Sequence, residues 1–277
     1  MKWFLRRLLK LLYKIDVEIS EESLNAEGII ICNHQSFLDG LLLGLFLPQN
    51  PIFVIDRAIA DRWYFKFFLR FVSHVTVDPL HPMAMKTLLE KAKSDQSIVI
   101  FPEGRITLTG SFMKFYEGAA FIAHKTGKPL IPVIIEGAEQ THLSRLKGVV
   151  KQRLFTPIRI VMRPPVYVDL SHKTIDQNVR HYFAKFTQEC LMNTRLDVFK
   201  PTSLFESIVN ARKEFGKNTE CVEDITRKPL SFQKLIEASL ALSRVLARHT
   251  IEKERVGLLL PNMVPSAVTL LSLNAIN

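Results

Sequence analysis

The segment Asn33-His34-Gln35-Ser36-Phe37-Leu38-Asp39 places an imidazole and a carboxylate five residues apart, directly after the apolar run GIIIC (28–32). Where a buried strand gives way to a helix, α/β sheets present ligand-binding groups, and the bend there can bring the two side chains together. A carboxylate on one ring nitrogen fixes the tautomer and leaves the other nitrogen basic, so His34 oriented by Asp39 can take a proton from a hydroxyl. The same letters have a plainer reading. Ser36 followed three residues later by Asp39 is also a capping box, which starts a helix and needs no catalysis. The spacing alone leaves both open.

A second candidate is Phe101-Pro102-Glu103-Gly104-Arg105, a turn at the end of another apolar strand. Arginine offers planar paired donors that suit a phosphate, and Gly104 lets backbone approach a ligand closely. Its bland alternative is an ordinary turn with a solvated ion pair. A third is Ile131-Pro132-Val133, where proline interrupts a strand, normally an edge or bulge feature. Arg145, Lys147, Lys151 and Arg153 form a basic stretch, either a solvated loop or a docking patch for an acidic carrier protein or lipid headgroups. Other chemistries are disfavoured. No Gly-x-Ser-x-Gly elbow marks a serine hydrolase, and the eight histidines show no zinc-ligand spacing. Cys32, Cys190 and Cys221 are too far apart in sequence to suggest a disulfide framework or a metal site, and fit a reducing compartment.

The elements that must position these residues alternate. Short apolar runs at 28–32, 51–55, 74–77, 97–101, 130–135 and 158–162 read as strands. Helical patterns fall at 37–47, 61–71, 83–93, 115–126 and about 174–196, with Pro48 and Gly127 as stops. This predicts an α/β fold with a mixed, mostly parallel sheet flanked by helices. DVFKPTSL (197–204) reads as a linker, after which a second pattern begins: helix 204–214, a strand near 218–225, helix 231–248, strand 255–260, and a helix after Pro265. The expected organisation is a contact helix over 1–15, a main domain over 16–196, a linker over 197–203 and a second α/β piece over 204–277.

Across its 277 residues the chain has a net charge of +10, which favours anionic partners. Five of those charges, Lys2, Arg6, Arg7, Lys10 and Lys14, lie in the first fifteen residues with Leu, Phe and Ile on the opposite helical arc. That is the pattern of a helix lying in a membrane plane, with a helix packed on the domain as the alternative. No nucleic-acid-binding module is found. No run is long and apolar enough to span a bilayer, and the N-terminus is a poor signal peptide. The expected place is the cytoplasmic side of the inner or plasma membrane, held peripherally or monotopically.

Taken in order, His-x4-Asp, Phe-Pro-Glu-Gly and the apolar-Pro strand resemble the glycerolipid and lysophospholipid acyltransferase family over roughly residues 10–195. The resemblance implies His34 as general base, Asp39 as its orienting partner, and Glu103, Gly104 and Arg105 as the acceptor-binding turn, with Pro102 and Pro132 as parts of the motifs. It implies transfer of a fatty acyl group from acyl carrier protein or coenzyme A to a lysophospholipid, without a resident cofactor. Two departures matter. VTVDP (75–79) has Pro79 where members that make phosphatidic acid carry an arginine, and Arg105 directly follows Gly104 where Glu-Gly-Thr-Arg is common. Fewer guanidinium groups suit a phosphodiester headgroup better than a phosphate monoester, and point to a 2-acylglycerophosphoethanolamine type of acceptor. FPEGRITLTGSFMKFYEGAA is similar to the acyltransferase half of two-domain enzymes that also load fatty acids onto acyl carrier protein. LSFQKLIEASLALSRVLA and ERVGLLLPN resemble the opening of the AMP-binding, adenylate-forming half. ATP and magnesium chemistry is not expected of 204–277, because its glycines form no phosphate-cradling cluster.

Overall fold

Runs of Ile and Val too short for helices form the strands of a computed structural model, which describes residues 2–62, 66, 69–78, 81, 83–170, 178–198, 202–226, 228–251 and 254–276. The chain divides into two units, residues 1–199 and 200–277.

The first unit opens with α1 (Lys2–Leu12), β1 (Asp16–Ile19) and the short α2 (Glu21–Leu24). It continues through β2 (Ile29–Cys32), α3 (Asp39–Phe46), β3 (Ile52–Asp56), the four-residue α4 (Arg57–Ala60) and β4 (Ser73–Val77). Then come α5 (Ala84–Ala92), β5 (Ile98–Ile100), α6 (Gly118–Thr126), β6 (Leu130–Glu136), β7 (Arg159–Met162) and α7 (Val179–Val198). The seven strands lie in the order β1-β7-β6-β2-β5-β3-β4. All neighbours are parallel except β6 and β7, so the sheet is mixed and mostly parallel. Helices supply the apolar cover: Leu42, Leu43 and Phe46 of α3 belong to one core cluster, and Leu88, Ile122, Phe183 and Leu191 of α5, α6 and α7 to another. The strands between them are dry, with Ile29, Ile30, Ile31, Val99, Leu130 and Ile131 all at 0–1% exposure.

Strand order creates the crevice. After β2 the chain crosses toward β3, whereas after β5 it crosses to β6 on the other side of β2. The loops leaving β2 and β5 therefore diverge, and a cleft opens between them at the carboxyl ends of the strands. The two motifs, His34 to Asp39 and Phe101 to Arg105, are those two loops.

Several expectations are corrected. β1 was not foreseen, because DVEI is polar; it is an edge strand pairing only with β7. Pro132 sits in an interior strand, yet beside a bulge. Val133 pairs with Met162 and Leu130 with Val166, so three steps along β6 match four along its partner. Five of the eleven residues of the helix expected over 61–71 lie outside the described residues, as does Pro79. α1 does not keep its whole apolar arc for a membrane. Leu9 is buried and Leu5 packs on the core, while Phe4, Leu8 and Leu11 remain exposed.

The second unit contains α8 (Leu204–Phe215), a hairpin of β8 (Glu220–Val222) with β9 (Leu230–Ser231), α9 (Phe232–Leu246) and α10 (Val264–Asn274). Ser203 and Ser231 cap their helices by accepting the Glu206 and Lys234 N–H groups. The strand expected at 255–260 is absent. Those residues are irregular and Leu259 is fully exposed. An apolar run becomes a strand only where another strand takes up its backbone groups, and β8 and β9 pair only with each other.

Candidate active site

The bend between β2 and α3 is anchored by side chains that replace backbone rungs. Asn33 is 2% exposed. Its amide nitrogen donates to the Ile135 carbonyl at 2.8 Å and its oxygen accepts the Ile135 N–H at 2.8 Å, which extends the β2–β6 ladder by one residue. The chain then turns, and His34 Nδ1 comes within 2.9 Å of Asp39 Oδ2. The same oxygen accepts the Gln35 N–H at 2.6 Å and the Ser36 N–H at 2.8 Å. A carboxylate only accepts, so the ring proton sits on Nδ1 and the Nε2 lone pair is left for chemistry.

The two readings of this spacing coincide in one atom. Asp39 is fully buried, and its Oδ2 both satisfies backbone donors at the helix start and orients the imidazole. The serine half of a capping box is not formed: Ser36 Oγ accepts the Leu38 N–H at 3.2 Å and meets Thr141 Oγ1 at 3.1 Å.

Across the cleft, the Phe101 ring stacks on the His34 imidazole, centroids 4.1 Å apart and planes at 19°. Pro102 is buried, and its carbonyl accepts the Tyr116 N–H. The chain then reverses at Gly104, whose φ of +66° is left-handed and whose N–H returns to the Phe101 carbonyl at 3.0 Å. Glu103 is 3% exposed and both its oxygens are engaged. Oε1 accepts the His34 N–H at 3.2 Å and Oε2 the Met113 N–H at 2.9 Å. Burial raises its carboxyl above the ordinary range, and those two backbone donors pull it back. Gly104 and Arg105, not Glu103, face the cavity beside His34. Thus Glu103 ties the imidazole's backbone to the opposite loop, a task the resemblance did not suggest. Thr107 adds a second tie, its N–H donating to the His34 carbonyl at 2.8 Å.

The cavity has a volume of about 330 Å³. Phe53, Val54 and Ile55 of β3, Val77 of β4 and Ile100 of β5 give it apolar walls, while His34, Asp56, Arg105 and Arg145 contribute polar groups. Such a space suits a hydrocarbon chain whose reactive end lies at the imidazole. Arg57, the basic residue that follows Asp56, is exposed and does not line it. Cys32, two residues from His34, is no rival nucleophile, because burial pushes its thiol well above the ordinary value. Among the described residues no cluster of three or more His, Cys, Asp or Glu side chains could hold a metal ion.

Arg145, Lys147, Lys151 and Arg153 are all exposed. Sequence reasoning missed what lies among and beside them: Leu143, Val149, Leu154 and Phe155 are also exposed. Phe155 meets Tyr13, just beyond α1, edge to face at 5.5 Å, and Arg145 stands over the Phe37 ring at 5.6 Å. The basic loop thus reaches from α1 to the cavity.

Residues 14–136 match the family described as Acyltransferase, a stretch that contains His34, Asp39, Glu103, Gly104, Arg105 and Pro132. Among curated proteins, the chain is 31% identical over 175 residues to a 1-acyl-sn-glycerol-3-phosphate acyltransferase of Cocos nucifera, covering 61% of this chain and 54% of that one. A protein of the same description from Limnanthes alba is 27% identical, covering 57% of each chain. One from Helicobacter pylori is 26% identical, covering 56% of this chain and 69% of its own. The chain spans about half the length of the plant relatives it matches. Among solved structures, the 1-acyl-sn-glycerophosphate (LPA) acyltransferase PlsC from Thermotoga maritima aligns with a TM-score of 0.48 at 21% identity, over 73% of this chain and 83% of that one.

Proposed function

We propose that this protein transfers a fatty acyl group from a thioester to the free hydroxyl of a lysophospholipid. The observation that carries this reading is the His34–Asp39 pair, with its free Nε2, on an apolar cavity. In the proposed step Nε2 takes the proton of the acceptor hydroxyl, and the oxygen forms a bond to the thioester carbon. The tetrahedral adduct collapses with loss of the thiolate, which takes the proton back from the imidazolium. No covalent acyl-enzyme is needed.

The acceptor headgroup divides two finer readings. The relatives are named for 1-acyl-sn-glycerol-3-phosphate, a phosphate monoester. Pro79 and the shortened Glu-Gly-Arg turn supply no further cation, and among the described residues the cavity's cations are Arg105 and Arg145, which favours a phosphodiester such as lysophosphatidylethanolamine. We favour the phosphodiester. Acyl transfer by the purified protein, with acyl carrier protein or coenzyme A as donor, is to be measured against a headgroup panel. The expected order is lysophosphatidylethanolamine or lysophosphatidylglycerol above lysophosphatidic acid. Preference for lysophosphatidic acid would reverse the headgroup reading, and transfer to none of them would remove the activity.

Docking on an anionic membrane follows from two surfaces. Phe4, Leu8 and Leu11 form an exposed stripe on α1, flanked by Arg7 and Lys10. The 143–155 loop alternates bases with exposed Leu, Val and Phe, which favours lipid over an acidic carrier. No helix among the described residues is long and apolar enough to cross a membrane. Because Leu9 is a core residue, substitution is a cleaner test than removing the helix. Serine at positions 4, 8 and 11 should lower partition onto anionic vesicles about tenfold or more, and salt should weaken the wild type. Equal binding by both proteins would make α1 a packing helix only.

The second unit carries the resemblance to adenylate-forming enzymes, with LSFQKLIEASLALSRVLA forming β9 and α9. On that reading it belongs beside acyl transfer as part of the machinery that supplies the donor.

A further inference from the structure

A second cavity, of about 430 Å³, opens at the same edge of the sheet. His34 borders the first and its chain neighbour Gln35 the second, with Cα atoms about 3.8 Å apart. The 104–110 segment runs between them, touching one through Gly104 and Ile106 and the other through Gly110. The first is mainly apolar. The second is built from polar groups.

One of these lacks a donor, and another is acidic. Gln35 is 5% exposed, and its side-chain oxygen is buried with no hydrogen-bond partner. A buried acceptor in that condition is costly, and a native fold keeps few of them. Glu136, at the end of β6, is half-buried; burial raises its carboxyl and the charges of Arg159 and Arg195 offset this in part. Arg195 and Glu139 line the cavity as well, yet Gln35 Oε1 stays without a donor, so a ligand that brings N–H groups and positive charge suits this acceptor and the acidic Glu136. At the rim, the exposed Arg153 supplies a guanidinium suited to a phosphodiester. Asn33 and Thr156 also border the cavity, but their side chains are engaged, with Ile135 and Gln140 respectively.

We propose that this cavity receives the primary ammonium of the acceptor's headgroup, with Gln35 Oε1 and the Glu136 carboxylate accepting its N–H bonds and Arg153 joining Arg105 of the first cavity as a cation for the phosphodiester. The proposal rests on the acyl-transfer reading and gives that reading a headgroup. It also couples binding to chemistry, because the Gln35 N–H bonds the same Asp39 oxygen that orients His34. A lysolipid whose hydroxyl lies at the imidazole then holds its ammonium one residue away along the chain.

The experiment compares kcat/KM for lysophosphatidylethanolamine and lysophosphatidylglycerol at one acyl donor, in the wild type, Gln35→Leu and Glu136→Gln. Titration calorimetry with the water-soluble headgroups glycerophosphoethanolamine and glycerophosphoglycerol runs alongside and needs no turnover. The ethanolamine-to-glycerol ratio should fall about tenfold or more in each variant, mostly through KM, and binding of glycerophosphoethanolamine should weaken in parallel. A ratio and a binding constant that stay at the wild-type values in both variants would overturn the proposal. If the wild type acylates no acceptor, the acyl-transfer reading fails by itself. The calorimetry then still reads the cavity: binding lost in Glu136→Gln supports it, and binding kept in both variants removes it.

Discussion

Replacing His34 with alanine should lower the proposed acyl transfer by about two to four orders of magnitude while the protein stays folded. The loss follows from geometry. Asp39 holds the ring proton on Nδ1, so Nε2 is the group on the cavity free to accept a hydroxyl proton, and alanine leaves that task to water. The fold should tolerate the change. The His34 backbone stays tied by its N–H to Glu103 and by its carbonyl to Thr107, and the missing ring is 20% exposed rather than sealed in the core. Single-turnover transfer from a labelled thioester, with thermal unfolding as the control, measures both halves. Turnover within a few-fold of wild type by a folded variant would remove the imidazole from the mechanism.

Asp39→Asn separates catalysis from capping. The carboxylate oxygen receives the His34 ring N–H and two backbone N–H groups in a fully buried position. All three partners share Oδ2, so an amide either keeps them and buries an unpartnered NH2 in place of Oδ1, or turns that NH2 toward them and leaves both backbone donors unmet. Stability should fall by about 1–3 kcal/mol, the usual cost of an unsatisfied buried group. Activity should fall further, by about two to four orders of magnitude, because an amide donating to Nδ1 would put the ring proton on Nε2 and silence the base. Denaturant midpoints and kcat, read on the same preparations, distinguish the two roles. Lost stability with near-native kcat would leave Asp39 as a helix cap alone.

The acid–base pair was legible because it is local. Five residues of chain and one bend suffice to join His34 to Asp39, and both the catalytic and the capping readings of that spacing predicted the bend. The apolar runs of six of the sheet's seven strands, the stop at Pro48 and the left-handed Gly127 after α6 were legible for the same reason, since neighbours in sequence settle them. β1 was not, because a polar edge strand has no periodic signature and exists only by pairing with β7.

Other features depended on pairings far apart in the chain. Glu103 reads in sequence as a charge free to meet a ligand; only the approach of the β2 and β5 loops, 69 residues apart, hands one of its oxygens to the His34 N–H. The apolar cavity is assembled from β3, β4 and β5 around that approach, so no single segment announces it. Gln35 gives no sign in sequence of being buried with an unmet oxygen, nor Glu136 of sharing its cavity. The run 255–260 shows the converse. Its letters specify a strand, yet no neighbouring strand takes up its backbone groups, and it stays irregular. Hydrophobic periodicity and local hydrogen bonds were enough to fix six of the sheet's strands and the His34–Asp39 contact. The tertiary structure decided which oxygens face a ligand and which face the backbone, because that depends on strand order, and strand order is set by contacts whose partners lie tens of residues apart.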